Sequence, residues 1–366
     1  MEYVESDLVR IAKRENNTKR GYLVVNPLQG KHISVKPSKA LELFSALAKT
    51  FVNQYKNEHL LLVGFAETAT AIGAQTAIAV GAKYIQTTRE IVADADYLFF
   101  SEEHSHATEQ KLVKNDIDSM IGEIDRIIFV EDEVTTGNTI LNIISILEKL
   151  YSGKLCFSVA SLLNGMSEEN LKRFADKNIS LHYLAKTDHS KYEDRADDFI
   201  GDGNYYECME NDCGSITLLN IQGKMDARRL VNALHYEAAC NKLWESVLEN
   251  IGGISGKKIL VVGTEEFMYP ALFVGKKLEE YGNDVWCHST TRSPIAVSME
   301  KEYPLHNRYE LRSLYDKERK TFLYDIGKYD KVFIVTDAAD NDEGGMRTLI
   351  NALKVQNNNI TLVRWI

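Results

Sequence analysis

The stretch Ile127 to Thr139 limits the possible folds more strongly than any other part of this sequence. It begins with four apolar residues, mostly β-branched, which is typical of a buried strand in a parallel sheet. Two adjacent carboxylates end that strand, and a short threonine and glycine loop follows. The apolar spacing from Ile140 to Leu150 then predicts a helix with Thr139 near its start. The stretch therefore predicts a strand, loop and helix with polar groups at the carboxyl end of the strand.

The polar loop between this strand and helix suits a phosphorylated sugar. The side-by-side carboxylates of Glu131 and Asp132 can accept hydrogen bonds from two vicinal hydroxyls. The loop amides and the helix dipole favour a phosphate, and Gly137 lets the backbone approach the ligand. A plain buried strand before a threonine-rich helix cap explains the residue types but not their whole order. A P-loop is excluded, because the lysine of GxxxxGK[ST] is missing.

Length and composition indicate an ordinary soluble protein with room for two domains. The chain has 366 residues, more than one core usually needs, with 44% apolar and 26% charged residues. Its formal net charge of −10 argues against nucleic acid as the main partner. The first twenty residues lack the apolar segment of a signal peptide, and no apolar run approaches the roughly 20 residues that span a bilayer. We therefore expect a cytoplasmic protein that acts on small molecules, with neither nucleic acid nor membrane as partner.

Cysteine usage gives no framework of disulfides or zinc ligands. The count is odd and the spacing does not fit a zinc site. Cys208 and Cys213 are close enough in sequence for a disulfide or a metal pair, but reduced thiols are the preferred interpretation for a cytosolic protein.

A second strand-to-helix loop in the first half of the chain carries polar groups. Leu60 to Val63 predicts a strand, and Glu67, Thr68, Ala69 and Thr70 follow it. Small residues, hydroxyls and a carboxylate are expected where a βα loop faces a ligand. A small-residue helix packed on a sheet explains the alanines of this segment, but it does not explain Glu67 and Thr68.

Cationic and histidine side chains follow other predicted strands. Arg89 stands where it can clamp a phosphate, although a surface salt bridge explains it equally well. His104 and His106 lie beside two glutamates, which allows a metal site, but no third ligand stands at an obvious spacing. A mobile loop over an active site is the preferred interpretation, with the histidines donating to phosphate or base. Lys31 and His32 are further potential contacts to an anion or a base.

Strands and helices alternate along the whole sequence, which predicts an α/β protein with an open, mostly parallel sheet. Asp188 to Cys213 is polar and acidic, and it fits either a hood over the site or a linker. Met225 to Leu248 predicts a helix. The glycine-rich turn Ile251 to Gly256 marks a change of composition, after which the pattern predicts a second, smaller α/β domain.

Two polar loops of this second domain follow predicted strands. One contains Thr291, Arg292 and Ser293, and the other begins with Asp337. Both would emerge at the carboxyl ends of strands, where open α/β sheets bind ligands. These four residues therefore predict a separate site in the second domain, unless Arg292 merely pairs with Asp337 across the strand ends.

Six motifs considered together resemble one known family. They are GKHI (Gly30–Ile33), GFAETATAIG (Gly64–Gly73), TTRE (Thr87–Glu90), EEHSHAT (Glu102–Thr108), VEDEVTTGNT (Val130–Thr139) and HSTTRSP (His288–Pro294). The chain is similar to the orotate phosphoribosyltransferase-like, type I phosphoribosyltransferases of bacterial tellurium-resistance and stress gene clusters, which carry a C-terminal TRSP domain. Glu133 departs from the apolar residue usual in type I enzymes, and this subfamily shares the departure.

The resemblance implies a type I phosphoribosyltransferase-like open parallel sheet with a hood at residues 1–220. A helical linker at residues 221–256 and a TRSP domain at 257–366 would follow. Type I enzymes often share sites across a dimer, so the resemblance also implies a possible homodimer.

The resemblance further implies a role for each matching residue. Glu131 and Asp132 would hold the ribose hydroxyls of phosphoribosyl pyrophosphate and, indirectly, Mg²⁺. The remaining implied residues are Thr135, Thr136, Gly137, Asn138 and Thr139 for the 5′-phosphate, Glu67, Thr68, Ala69, Thr70 and Arg89 for pyrophosphate, and His104 and His106 for the catalytic loop.

Three functional hypotheses follow. The first is a Mg²⁺-dependent enzyme that transfers phosphoribosyl to an orotate-like or other small nitrogenous base, in a nucleoside-type pathway linked to stress or tellurium resistance. The second is a non-catalytic protein that senses phosphoribosyl pyrophosphate or a nucleotide. The third is a pair of domains that perform consecutive steps. Release of pyrophosphate when a base is added distinguishes the first from the second.

Overall fold

The structure, a computed structural model, describes residues 2–15, 20–100, 110–151, 153, 155–339 and 343–366. The predicted loop histidines His104 and His106 lie outside the described residues, with the rest of the motif Glu102–Thr108. The chain divides into two compact units. The first unit comprises residues 1–5, 41–188 and 225–238, and the second unit comprises residues 6–40, 189–224 and 239–366.

Strands and helices alternate along most of the described chain, as the sequence predicts. The strands are β1 (Arg10–Lys13), β2 (Tyr22–Val25), β3 (Leu60–Gly64), β4 (Lys83–Gln86), β5 (Tyr97–Phe100), β6 (Gln110–Val113), β7 (Arg126–Val134), β8 (Cys156–Asn164), β9 (Ser180–Lys186), β10 (Asn204–Glu207), β11 (Thr217–Ile221), β12 (Val231–Asn232), β13 (Lys258–Gly263), β14 (Asp284–Ser289), β15 (Asn307–Arg312), β16 (Lys320–Tyr324), β17 (Lys331–Thr336) and β18 (Ile360–Trp365). The α-helices are α1 (Glu5–Leu8), α2 (Pro37–Lys49), α3 (Thr70–Val80), α4 (Lys114–Asp118), α5 (Asn138–Leu150), α6 (Glu168–Ala175), α7 (Tyr192–Asp197), α8 (Ala233–Ile251), α9 (Tyr269–Glu280) and α10 (Glu343–Lys354).

The first unit is built on one sheet with the strand order β12-β4-β3-β7-β8-β9. Its five long strands pair in parallel, and the short β12 pairs antiparallel with β4 at the edge. β5 and β6 form a separate antiparallel pair. Apolar runs fill the middle of the sheet: all of β3 is buried, and Ile127 to Val130 of β7 are at most 1% exposed. Such continuous burial is expected when both faces of a parallel sheet are covered.

The second unit contains a five-stranded sheet with the order β11-β18-β17-β13-β14, paired in parallel throughout. A three-stranded sheet, β10-β15-β16, and the pair β1-β2 complete the unit. The second α/β domain predicted for the end of the chain is therefore present. It includes chain segments from well before residue 257, because β10 pairs with β15 and β11 pairs with β18.

The acidic pair does not end its strand, contrary to the prediction. β7 continues through Glu131, Asp132 and Glu133 to Val134, because Glu131 and Glu133 still pair with β8. The three carboxylates therefore lie in the second half of a hydrogen-bonded strand, which fixes their backbone more firmly than a loop would.

The predicted helix Met225–Leu248 is also wrong in its first eight residues. Val231 and Asn232 pair with β4, and the side-chain oxygen of Asn232 accepts hydrogen bonds from the amides of Leu234 (3.0 Å) and His235 (3.2 Å). Asn232 thus caps α8, which begins at Ala233.

The boundaries of the two compact units differ from the predicted domain ranges. Residues 189–224 lie in the second unit, and the two interpretations of Asp188 to Cys213, a hood or a linker, stay predictions. Residues 6–40 also lie in the second unit. The ranges 1–220, 221–256 and 257–366 stay a prediction about the domains of the family.

Two smaller sequence expectations can be compared with the structure. All five cysteines, Cys156, Cys208, Cys213, Cys240 and Cys287, are free thiols, in agreement with the reduced interpretation. No helix among the described residues combines the length and apolar character needed to cross a membrane.

Candidate functional site

The carboxyl ends of β4, β3 and β7 lie side by side at one edge of the first unit's sheet. Gly64 at the end of β3 pairs with Gln86 of β4 on one side and with Val130 of β7 on the other. The residues that follow these three positions include most of the predicted site. The structure therefore brings the three loops to one edge, the place where open α/β sheets bind ligands.

The loop between β3 and α3, which carries Glu67 to Thr70, is held by a buried hydrogen-bond network. The amide of Ala66 donates to the hydroxyl of Thr87 at 2.8 Å, and that hydroxyl donates to Gln110 Oε1 at 2.7 Å. Gln110 Nε2 donates in turn to the carbonyl of Ala66. These groups come from three separate elements, so the network fixes the loop against β4 and β6.

Arg89 lies in the loop after β4. The backbones of Thr88 and Lys111 exchange hydrogen bonds of 2.8 and 2.9 Å, and Lys111 Nζ donates to the carbonyl of Arg89 at 3.2 Å. The β6 strand thus fixes the backbone that carries the Arg89 guanidinium. The side chain is partly exposed, which leaves it accessible to an anion at this edge.

The carboxylates of β7 mark the boundary between a buried and an open part of the strand. Ile127 to Val130 are buried, whereas Glu131, Asp132 and Glu133 are each partly exposed. The amide of Phe65, at the start of the neighbouring loop, donates to the carbonyl of Val130 at 3.0 Å. The acidic residues and the β3–α3 loop consequently start from adjacent points.

The segment Thr135 to Thr139 links the end of β7 to the start of α5 and contains Gly137. This glycine has φ +70°, a left-handed conformation that residues with a Cβ rarely adopt. An added Cβ would lie 2.7 Å from Met166 Cε and closer still to the ring of Phe174. Gly137 is therefore required by its local packing as well as by its backbone conformation.

The first turn of α5 contains no acidic residue. Its first amide, that of Asn138, donates to the hydroxyl of Thr136 at 3.4 Å. Helix α6 supports the loop from outside, because Asn170 Nδ2 donates to the carbonyl of Thr135 (3.4 Å) and Arg173 Nη2 donates to Asn138 Oδ1 (2.8 Å). The amides at the start of α5 suit a phosphate oxygen.

An ion pair fastens the edge of the sheet beside β4. Asp116 Oδ2 accepts from Arg229 Nε and from the amide of Leu230, both at 2.8 Å. Burial alone would raise the pKa of Asp116, but the hydrogen bonds from Arg229 and Leu230 lower it. Arg229 thus holds the segment that leads into β12 and, contrary to the prediction from the sequence, is not part of a helix.

The four residues predicted for the second domain also lie at one edge of its sheet. Gly263 pairs with Ser289 of β14 on one side and with Val335 of β17 on the other. Thr291, Arg292 and Ser293 follow β14, and Asp337 follows β17.

The ion pairs of these loops differ from the predicted alternative, which was a pair between Arg292 and Asp337. Arg292 Nη2 lies 4.0 Å from Glu266 Oε1, and Asp337 lies 3.4 Å from Lys224 Nζ and accepts a hydrogen bond of 2.8 Å from the hydroxyl of Tyr315.

Lys31 belongs to the loops of the second unit and not to the first site. It is 1% exposed, and its ammonium donates to the carbonyls of Glu265 (2.7 Å) and Thr290 (2.9 Å). The neighbouring His32 lies 3.5 Å from the Thr291 hydroxyl. The expectation that Lys31 and His32 are potential contacts to an anion or a base stays a prediction, and the bonds of Lys31 brace two loops of the second unit.

Four supporting residues of the first site were missed by sequence reasoning. Gln110, Lys111, Asn170 and Arg173 act through backbone or amide contacts, and no motif surrounds them. Their spacing to the loops that they hold ranges from 22 residues for Lys111 and Arg89 to 44 for Gln110 and Ala66. Only the fold brings such pairs together.

A cavity of about 540 Å³ lies at the opposite end of the same sheet. Its lining includes His59, Leu60, Ala82, Lys83 and Asp125, which surround the amino ends of β3, β4 and β7. It is separate from the predicted site residues.

Fold and site together define a class: a parallel α/β sheet whose strand-end loops bring carboxylates, amides and an arginine to one edge. The chain belongs to the phosphoribosyl transferase family that carries a C-terminal TRSP domain. Residues 8–188 match the phosphoribosyl transferase domain and residues 227–353 match the TRSP domain. The protein is accordingly an enzyme, a phosphoribosyltransferase. Among curated proteins none matches the sequence.

Solved structures similar to the chain include adenine phosphoribosyltransferases at low identity. The Rhodothermus marinus enzyme is 15% identical, with 50% of this chain and 96% of that chain covered and a TM-score of 0.35. The Giardia lamblia enzyme with 9-deazaadenine is 14% identical, with 50% and 95% covered and a TM-score of 0.34. The Trypanosoma brucei enzyme with AMP, pyrophosphate and ribose-5-phosphate is 15% identical, with 50% and 77% covered and a TM-score of 0.35.

Proposed function

We propose that the first unit transfers a phosphoribosyl group from phosphoribosyl pyrophosphate to a small nitrogenous base, orotate-like or other, with release of pyrophosphate. The observation that supports this most directly is the convergence of three loops at one sheet edge, through the pairing of Gly64 with Gln86 and Val130. The resemblance, and not the geometry, supports a nucleoside-type pathway linked to tellurium stress.

In this proposal the β7 carboxylates and the α5 loop hold the sugar phosphate. Glu131 and Asp132 accept hydrogen bonds from the two ribose hydroxyls. The amides of residues 135–139 and the hydroxyls of Thr135, Thr136 and Thr139 hold the 5′-phosphate, aided by the dipole of α5. Partial exposure of the carboxylates and the lack of acidic residues in the first turn of α5 support this assignment.

The leaving pyrophosphate lies at the β3–α3 loop in the same scheme. Backbone amides of residues 67–70 face it, and Arg89 contacts it with a planar guanidinium that suits two phosphate oxygens. Support comes from the network through Thr87 and Gln110, because a loop that is already fixed loses little entropy when it binds.

The donor set fits Mg²⁺. Within the described residues, no group of three or more His, Cys, Asp or Glu side chains is arranged to hold a metal, and Mg²⁺ commonly takes one or two carboxylates plus phosphates of the substrate. Glu131 and Asp132 would hold it indirectly, through the ribose hydroxyls. When bound, Mg²⁺ offsets the negative charge that develops on the leaving pyrophosphate.

The chain itself contributes positioning and charge. A ring nitrogen of the base displaces pyrophosphate from the anomeric carbon, and the carbon–oxygen bond to pyrophosphate breaks as the new carbon–nitrogen bond forms. Positive charge develops on the ribose ring, and the carboxylates of Glu131 and Asp132 stabilise it. Fixed loops on three sides hold the reactants in line for this displacement.

Two measurements test the proposal. Calorimetric titration of phosphoribosyl pyrophosphate with Mg²⁺ is expected to show binding to the wild type and strongly weakened binding to Asp132→Asn. A screen of purine and pyrimidine bases for pyrophosphate release then identifies the acceptor. Binding without pyrophosphate release from any base would contradict the transfer reaction and favour the sensor hypothesis.

A further inference from the structure

The two units contain the same arrangement of strands. In the first unit the order β4-β3-β7-β8 places the first strand of the series, β3, between the second and third. In the second unit β14-β13-β17-β18 has the same order, with β13 in the place of β3. Helices α3 and α9 follow β3 and β13, helices α5 and α10 follow β7 and β17, and an antiparallel pair, β5-β6 or β15-β16, precedes the third strand.

The hydrogen bonds at the two sheet edges match one by one. In the first unit the amide of Thr87 donates to the carbonyl of Gly64 (2.9 Å), and the Thr87 hydroxyl accepts from the second residue after Gly64 (2.8 Å). In the second unit the amide of Thr290 donates to the carbonyl of Gly263 (3.1 Å), and the Thr290 hydroxyl accepts from the second residue after Gly263 (3.0 Å). General α/β topology does not demand this side-chain bond.

The next residues match as well. Thr88 exchanges backbone hydrogen bonds with Lys111 of β6, and Thr291 exchanges them with Phe322 of β16. The sequence Thr-Thr-Arg occurs in both places, at residues 87–89 and 290–292. Arg292 therefore stands in the second unit where Arg89 stands in the first.

Close packing of the first helix on the second strand provides a further match. A Cβ added to Gly73 of α3 would collide with Tyr84, whose strand partner lies two residues before Gly64. A Cβ added to Gly275 of α9 would collide with Cys287, whose strand partner lies two residues before Gly263. Both helices thus use a glycine at the corresponding contact.

We propose that the second unit is a second copy of the phosphoribosyltransferase scaffold, and that its strand-end loops form a second site that binds a diphosphate group at Arg292. The duplication rests on topology and hydrogen bonds alone. The ligand class rests on the proposed function, because it carries the role of Arg89 over to Arg292.

Ion pairs fix the side chains around Arg292. The carboxylate of Glu265 accepts from Ser313 Oγ (2.5 Å) and Arg319 Nη1 (2.9 Å), and Arg319 Nη2 also lies 3.3 Å from Asp316. Glu266, 1% exposed, lies 4.0 Å from Arg292, whose side chain is 12% exposed. A diphosphate would therefore contact the exposed part of a guanidinium that its neighbours already hold in place.

The third loop explains why the ligand is a diphosphate and not a complete sugar phosphate. The strand register gives Asp337 the position in the second unit that Asp132 has in the first. Gly263 pairs with Val335 and Gly64 pairs with Val130, and each aspartate lies two residues after the valine. One carboxylate is therefore kept. The following helix, however, begins with Glu343 in place of Asn138, and an acidic first turn competes with phosphate for the helix amides.

Calorimetric titration of inorganic pyrophosphate, with MgCl₂ present, tests the proposal on the full chain. We expect two equivalents to bind the wild type and one equivalent to bind either Arg89→Met or Arg292→Met, with affinity for the lost equivalent at least tenfold weaker. Arg347→Met is the matched control, since it removes a guanidinium 40% exposed that pairs with Glu343 on the surface. It is expected to keep both equivalents.

The variants separate failure of this proposal from failure of the proposed function. One equivalent in the wild type that only Arg89→Met removes overturns the second site and leaves the first intact. One equivalent that only Arg292→Met removes supports the second site and contradicts the pyrophosphate clamp at Arg89. Absence of binding to the wild type overturns both.

Hydrogen exchange on the wild type gives an independent test, which matters because Arg292 is largely buried and its replacement can impair folding. Pyrophosphate is expected to protect peptides that cover residues 264–269 and 289–293. Unchanged exchange there, with protection at 65–70, overturns the proposal. Repeating the titration with ADP distinguishes a nucleotide-borne diphosphate, which ADP would mimic, from the free anion, which ADP would fail to displace.

Discussion

The two sheet edges share their backbone arrangement and differ in the side chains placed on it. Gly64 and Gly263 occupy equivalent positions, and a threonine hydroxyl ties the loop to the neighbouring strand in both units. The first edge has three partly exposed carboxylates near the end of β7 and no acidic residue in the first turn of α5, whereas the second edge has Asp337 after β17 and Glu343 in the first turn of α10. The difference shows that a few side chains decide what the same scaffold can bind.

A second difference concerns the residue before the strand end. In the first unit it is Ile85, paired with Val63; in the second it is His288, paired with Val262. The imidazole is buried, accepts from the amide of Ser289 at Nδ1 (2.8 Å), and donates from Nε2 to the carbonyl of Tyr324 (3.0 Å). Burial lowers its pKa to about 4. The second edge is therefore sensitive to pH at a point where the first is not.

The largest expected effect is a loss of catalytic activity at the first edge. Asp132→Asn keeps the shape of the side chain but removes the charge that the proposal places at the ribose, so we expect turnover to fall roughly 100- to 1000-fold. Pyrophosphate release under saturating substrates measures the effect. Asp176→Asn is the control, because its carboxylate is 61% exposed at the end of α6 and pairs with Lys172 at 2.7 Å. Equal activity in the two variants would refute the assigned role of Asp132.

Gly137→Ala tests how tightly the first edge is built. The new Cβ meets both a left-handed backbone and the side chains of Met166 and Phe174, and we expect unfolding free energy to fall by roughly 2–5 kcal/mol. Gly81→Ala has a similar left-handed φ, but its new Cβ would meet Leu234 at 4.0 Å. We therefore expect its unfolding free energy to fall by only about 1 kcal/mol. Chemical denaturation compares them, and similar losses would show that Gly137 is needed for its backbone alone.

Acidification is expected to weaken the second unit through His288. The histidine is neutral in the fold and gains a proton on unfolding below its ordinary pKa of 6.5, so its contribution is fully present above pH 6.5 and is lost as pH falls towards 4. The loss amounts to about 3 kcal/mol at pH 4. Unfolding measured between pH 7.5 and 4 should show a smaller decline in His288→Gln, and an identical decline would assign the pH dependence to other groups.

The smallest effect compares the two threonine ties. Thr87→Val removes an acceptor for Ala66 and a donor for Gln110, which we expect to cost roughly 1–3 kcal/mol in local stability. Thr290→Val removes the acceptor for Glu265, expected to cost about 1 kcal/mol. Hydrogen exchange of peptides that cover residues 65–70 and 264–269 measures both, and equal changes would mean that the Gln110 bond contributes nothing.

Sequence reasoning predicted what depends on local pattern. β3 lies within one residue of its predicted range, Leu60 to Val63, because it is a short apolar run before a polar turn. β10 was missed, since its partner β15 is far away in the chain. The roles of the site residues, from Glu131 to Asp337, remain predictions that the proposed experiments test.

The sequence also failed to show where Lys31 belongs, for the same physical reason. Its partners are the carbonyls of residues more than two hundred positions later, and carbonyl groups leave no trace in side-chain patterns. In contrast, the order of the strand, acidic residues and threonine loop around β7 was readable because every part of it is local.

The discontinuous second unit has a consequence for biosynthesis. Residues 6–40 leave the ribosome first, but the strands that they accompany are made only after residue 257. The ammonium of Lys31 therefore stays solvated until Thr290, which provides one of its carbonyl partners, has been synthesised. The first unit's central sheet, complete by residue 186 apart from β12, can form during translation, and the second can close only near its end. A chain shortened after Gly256 would therefore leave the amino-terminal segment without its partners, which makes truncation a poor way to isolate either unit.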